Sequence, residues 1–216
     1  MMKRYLLGAA AALAIAASPA SAATLINGGF EGGTFTQPYV TLSSANSTYD
    51  DIYGWEVTGG TVEWIGSYWQ PHTGSKSLDL NGTSPGTISQ NIADTVGGQS
   101  YAISFYASKN PDAGAPTRTG TISFGGQTQT FTYALSNTLA NMSWQLYTFY
   151  FTASGANTLL SFSGNATTGG CCWGPALDDV SIAAVPEPEI WAMLLFGLGA
   201  VGWQMRRRNR LQVVTA

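Results

Sequence analysis

The chain has 216 residues and a formal charge of -3, and its charges are unevenly placed. Between Ala23 and Ala184 the cations are Lys76, Lys109 and Arg118, against ten carboxylates. An acidic body without a basic stripe argues against nucleic acid or polyanionic sugars as ligands, and a single histidine with no Gly-x-Ser-x-Gly elbow leaves little room for a catalytic triad.

Met1 to Ala22 reads as a secretory signal helix. Lys3 and Arg4 form the charged region, Leu6 to Ala17 the apolar one, and Pro19-Ala20-Ser21-Ala22 the small-x-small cleavage site. The mature chain is expected to start at Ala23. From there to Ala184 the pattern is that of strands. Tyr101, Ile103, Phe105 and Ala107 alternate onto one face. Thr121 to Phe124 is followed by Gly125-Gly126 and a return strand, Gln129 to Tyr133, so that Phe124 and Phe131 are expected to meet across a hairpin. Trp144 to Thr152, Thr158 to Phe162 and Leu177 to Ala183 complete the set, and Asn110 to Thr117 is the clearest loop. No long helical period occurs in this stretch. The fold class is all-β, a sandwich or jelly roll.

Val185-Pro186-Glu187-Pro188-Glu189 ends the strand-forming part, because two prolines in three residues continue neither ladder nor helix. The uncharged run Ile190 to Trp203, with Trp191 and Trp203 near its ends, suits a transmembrane helix with aromatic rings at the interfaces. Arg206, Arg207, Arg208 and Arg210 would then mark the cytoplasmic end. The run is shorter than the about 20 residues a span usually takes, so a buried core helix is the alternative. Motif, apolar helix and arginine cluster together resemble the PEP-CTERM sorting signal. That resemblance implies an exosortase as partner, removal of the tail, and delivery to the cell surface or extracellular polysaccharide.

Several side chains stand out within the body. Strand parity puts Asp178 on the side of Val180 and Ile182, facing the core, where a carboxylate needs a partner. Calcium is one such partner; backbone amides or a proton are the others. In a sandwich, Glu31 near the start and Asp178 near the end can share one site. After Gly66, Tyr68 and Trp69 cannot both be buried easily. They are candidates for a sugar platform, with packing over a sandwich edge as the alternative. Tyr53, Trp55 and Trp144 read as core. Asp79, between Leu78 and Leu80, is expected on the opposite face, solvated or lining a groove. Gln90 shares parity with Ile88 and Ile92 and needs hydrogen-bond partners. Cys171 and Cys172 leave three options: a vicinal disulfide, free thiols or intermolecular pairing. Glu56, Glu63 and Asp79 could supply a glycosidase's acids, but their spacing picks no pair.

Asn27-Gly28-Gly29-Phe30-Glu31 and Leu177-Asp178-Asp179-Val180, with Gly54-Trp55, Gly74 to Gly82 and Gly86 to Gln90, resemble the bacterial choice-of-anchor C domain. That family is similar to galactose-binding-like carbohydrate-binding modules. The resemblance implies a galactose-binding-like β-sandwich and a structural calcium held by Glu31 and Asp178, with Asn27 or a nearby carbonyl as a further ligand. The expected activity is non-catalytic binding of a neutral polysaccharide. A structural or adhesive matrix protein, or a glycoside hydrolase, is the alternative.

Overall fold

The computed structural model describes residues 22–45, 51–112, 116–165, 172–186 and 188–213. The signal segment up to residue 21, Glu187 and Cys171 lie outside them. Ser21–Pro186 forms one unit, and the helical tail belongs to another.

Alternating side chains turn the body into two antiparallel sheets. The strands are β1 (Tyr39–Ser43), β2 (Glu56–Gly59), β3 (Thr61–Ile65), β4 (Ser77–Asp79), β5 (Thr87–Ile92), β6 (Ser100–Lys109), β7 (Arg118–Phe124), β8 (Gln127–Tyr133), β9 (Gln145–Thr152), β10 (Thr158–Gly164) and β11 (Pro175–Ala184). One sheet has the order β1-β3-β4-β11-β6-β9, the other β2-β5-β10-β7-β8. This is the expected sandwich. Trp64, Leu78, Leu177, Ile103 and Phe105 from the first sheet bury against Ile88, Ile122, Phe124, Leu160 and Phe162 from the second. Tyr101, Ile103, Phe105 and Ala107 are all fully buried, as their alternation requires.

Two details of register differ from the sequence reading. Gly125 and Gly126 both have positive φ, 58° and 83°, which suits a two-residue hairpin turn. The turn sets Phe124 opposite Gln127, and Phe131 opposite Gly120. Phe131 therefore lies over a glycine: a Cβ on Gly120 would come within 2.4 Å of its ring. In β11 the register shifts between Asp178 and Ser181, and Asp179 takes φ of 47° at that bulge. The bulge breaks parity. Val180 still packs in the core and Ile182 against it, but Asp178 pairs with Tyr106 on the outer face.

The tail forms helix α1 (Pro188–Val213). Proline suits a first helical turn, where its missing N–H has no partner to lose. From Met193 to Met205 the large apolar side chains of α1 are exposed. Among the described residues no helix is long and apolar enough to cross a membrane. Arg206 is exposed, and the side chains of Arg207 and Arg208 lie outside the described residues.

Candidate functional site

The outer face of the six-stranded sheet carries the polar chemistry. Glu63, Asp79, Ala176 and Ser108 stand in one cross-strand row there, because their neighbours Trp64, Leu78 and Leu177 point inward. The loop from Gly66 to Lys76 covers part of this face.

Three carboxylates fasten that loop. Glu31 Oε1 accepts the amides of Ser75 (2.7 Å) and Lys76 (2.8 Å), and Oε2 accepts the Ser75 hydroxyl (2.7 Å). Lys76 Nζ lies 3.8 Å away. Burial pushes Glu31 up, but the Ser75 and Lys76 donors and the Lys76 charge together bring it below its ordinary value. Gly74 has φ of 62°, and a Cβ there would sit 2.3 Å from Glu31 Oε1, so this turn needs glycine. Asp178 Oδ2 accepts the amide of His72 at 2.8 Å and, more loosely, that of Thr73 at 3.4 Å, and Oδ1 accepts the Asp179 amide at 2.7 Å. Burial, and then the neighbouring Asp179 charge, push Asp178 up to about 7. Asp179 binds His72 Nδ1 at 2.5 Å and accepts the Thr73 hydroxyl at 2.7 Å. The His72 ring stacks on Tyr106 with centroids 3.5 Å apart.

Glu31 and Asp178 thus serve the same loop, and Asp178 does so from the outer face instead of the core. Calcium takes six to eight oxygen ligands. Here the oxygens of both carboxylates face N–H and O–H donors, and among the described residues no group of three or more His, Cys, Asp or Glu could hold a metal. Asn27 is committed to the fold. With φ of 52°, its side chain bonds Tyr53 O and the Gly32 amide, and its carbonyl accepts Trp55 Nε1. Gln90 is structural as well: its amide brackets Ile26, accepting from its N–H and donating to its carbonyl.

The aromatic candidates separate. Trp69 is only 3% exposed; it packs with Ile65, Met142 and Ala176, and its Nε1 donates to Ser77 Oγ at 2.8 Å. It cannot be a sugar platform, because the loop folds back over the sheet and gives the indole a buried partner. Tyr68 remains half-buried. Its ring meets Tyr39 edge-on at 5.3 Å, and its hydroxyl donates to Asp112. That bond first, then burial and the Asp112 charge, push Tyr68 up to about 12. Tyr39 is 41% exposed. Glu63 is half-buried nearby, and burial followed by the Asp112 charge raises it to about 7. Tyr39, Tyr68, Glu63 and Asp112 therefore form one aromatic and acidic patch.

Asp79 neither meets solvent nor lines a groove. It is fully buried, and accepts the amides of Asn81 and Gly174, each at 2.9 Å, and Asn110 Nδ2 at 2.8 Å. Burial, reinforced by Glu63, outweighs these donors and raises it to about 8. Asp79 does lie on the face opposite Leu78, as expected, but below the surface, since Asn110 and Gly174 close over it. Glu63 was legible from the alternation of β3, whereas nothing in the sequence placed Tyr39 and Asp112 beside Tyr68. Tyr53, read as core, is exposed, Trp55 and Trp64 are buried, and Trp144 is half-buried with Nε1 bonded to Gln70 O. Cys172 is disulfide-bonded, while Cys171 lies outside the described residues.

Halomucin of Haloquadratum walsbyi is 33% identical over 138 residues, which is 63% of this chain and 1% of Halomucin, so the chain spans a very small part of that relative. Among solved structures, a family 35 carbohydrate binding module from Clostridium thermocellum aligns with TM-score 0.42 and 18% identity, over 68% of this chain and 98% of the module. The CBM22-1 xylan-binding domain of Paenibacillus barcinonensis Xyn10C aligns with TM-score 0.41 and 20% identity, over 68% and 94%. The PEP-CTERM protein-sorting motif matches residues 184–208, which include Pro186, Glu187, Pro188 and the first arginines of the cluster. The model of a family described as protein of unknown function (DUF642) matches residues 23–183, and the chain belongs to that family.

Proposed function

We propose that this chain is a non-catalytic carbohydrate-binding protein of the cell surface or extracellular matrix, which takes a neutral polysaccharide at Tyr39, Tyr68, Glu63 and Asp112. The observation that carries the reading is the half-open tyrosine pair beside two carboxylates. A sugar ring offers an apolar C–H face that suits an aromatic ring, and a rim of hydroxyls that suits carboxylate acceptors. The sorting motif indicates export and processing by an exosortase. In this reading the apolar run within α1 is a transient membrane anchor until the tail is cut. The non-catalytic assignment is supported by the acids next to Glu63: the oxygens of Asp79 are enclosed by three N–H donors, and Asp112 is already bonded by the Tyr68 hydroxyl.

Titration of the body with neutral polysaccharides tests the site. Tyr68→Ala is expected to weaken binding about tenfold or more, the equivalent of one aromatic contact, while the body stays folded and melts only a little lower. Absence of binding to every glycan favours a structural or adhesive matrix protein, and release of reducing sugar favours a hydrolase.

A further inference from the structure

The free edge of β9 offers a surface that the glycan patch does not use. β9 ends the six-stranded sheet and pairs with β6 over all eight residues without a register shift. Gln127 brackets the last residue, with its amide bonded to both the N–H and the carbonyl of Thr152 at 3.2 Å. Those bonds show that the main-chain groups of Thr152 point away from β6. Strand periodicity extends the same direction to Tyr150, Thr148 and Leu146. Three alternate residues before Thr152 therefore turn their N–H and C=O groups to the edge, without a partner among the described residues.

Natural edges are usually blunted by charge, proline, bulges or shortness. Two of the other sheet ends, β1 and β2, show such devices, whereas β8 (QTQTFTY) is as uncharged and regular as β9 but carries no large apolar side chain on its exposed positions. β1 has five residues; β2 has four, with Glu56 and a register shift. β9, with the sequence QLYTFYFT, has no charge, proline or bulge. Leu146 is 53% exposed and Tyr150 65%. Tyr147 and Phe149 are only partly buried on the inner side.

We infer that β9 pairs antiparallel with β9 of a second copy of this chain, about a two-fold axis through Thr148. The edge is self-complementary about that residue. Thr148 faces Thr148 of the second copy, and Leu146 faces Tyr150 in both directions. Two main-chain bonds for each of these three pairs give about six in all. On the inner side Tyr147 falls opposite Phe149, so each copy covers the other's half-exposed ring. Charge favours the same arrangement. The body holds ten carboxylates against three cations, so copies repel over most faces, and β9 brings no charge to the contact. A closed two-fold pair also leaves no free β9 edge for further growth.

The test uses residues 23–186, which hold the whole core. Sedimentation or light scattering from about 1 to 100 µM is expected to show a monomer–dimer equilibrium. Thr148 is exposed, and Thr148→Lys puts like charges opposite each other at the axis. It is expected to weaken association about tenfold or more while the melting temperature of the dilute monomer stays unchanged. Mixing Thr148→Lys with Thr148→Glu is expected to restore a mixed dimer, a rescue that an unfolded variant cannot give. A body that stays monomeric throughout the range, or a dimer indifferent to Thr148→Lys, overturns the proposal; the latter outcome would assign the contact to another surface.

Discussion

Removing the carboxylate at Asp178 tests whether loop amides, and not a metal, hold the outer-face loop. In Asp178→Ala the amides of His72 and Asp179, bonded at 2.8 and 2.7 Å, lose their acceptor, and so does the weakly bonded Thr73 amide at 3.4 Å. A buried donor left unsatisfied costs about 1–3 kcal/mol. Two strong donors then predict a loss of about 2–4 kcal/mol, on the low side of the sum because the loop opens to water. For a body of this size that is a fall in melting temperature of roughly 5–15 °C. Asp178→Asn keeps one acceptor oxygen and should lose less. The assay is a thermal melt with and without a chelator, paired with urea unfolding. If amides do the holding, the chelator leaves the melt unchanged. A loss below about 1 kcal/mol in Asp178→Ala, outside the expected unsatisfied-donor cost, refutes the reasoning; so does a chelator-dependent drop of several degrees, which would restore calcium as the partner of Glu31 and Asp178.

Trp69→Ala should unfold the outer cluster, at a cost of about 3–5 kcal/mol, and it lowers the melting temperature whether or not glycan is present. Stability should also depend on pH in one direction. Glu63 and Asp178 are raised to about 7 and Asp79 to about 8, so their contribution is whole below the ordinary carboxylate range and is lost as pH rises through 7 to 8. Urea midpoints at pH 5 and pH 8.5 are expected to fall in that order, and Asp79→Asn should flatten the difference; equal midpoints would contradict the burial argument. Gly74→Ala combines positive φ with a clash against Glu31, and should cost about 1–2 kcal/mol. In a Glu31→Ala background the clash part disappears, so the double variant should lose less than the sum of the two singles.

The strands were legible because burial of one face forces period-two alternation, and β6 shows it from Ser100 to Ala107, before the loop-covered Ser108. The site was legible only as far as that rule holds. Glu63 and Asp79 share a row because β3 and β4 obey it, but depth depends on Asn110 and Gly174, which come from distant loops. Asp178 was misplaced because a bulge changes parity within two residues, and no pattern in Leu177-Asp178-Asp179-Val180 announces the left-handed φ of Asp179. For Trp69 the alternation could not choose between platform and packed edge for a similar reason, since its partner Ser77 lies beyond a loop whose path is set by Glu31, Asp178 and Asp179. The same geometry joins stability to recognition. The loop that these carboxylates fasten also carries Tyr68, so loosening it through Asp178 should lower the melt more than it weakens glycan binding, whereas Tyr68→Ala should weaken binding more than it lowers the melt. Opposite responses of the two variants would separate the fastening from the contact, and equal responses in both assays would show that Tyr68 is only another part of the fastening.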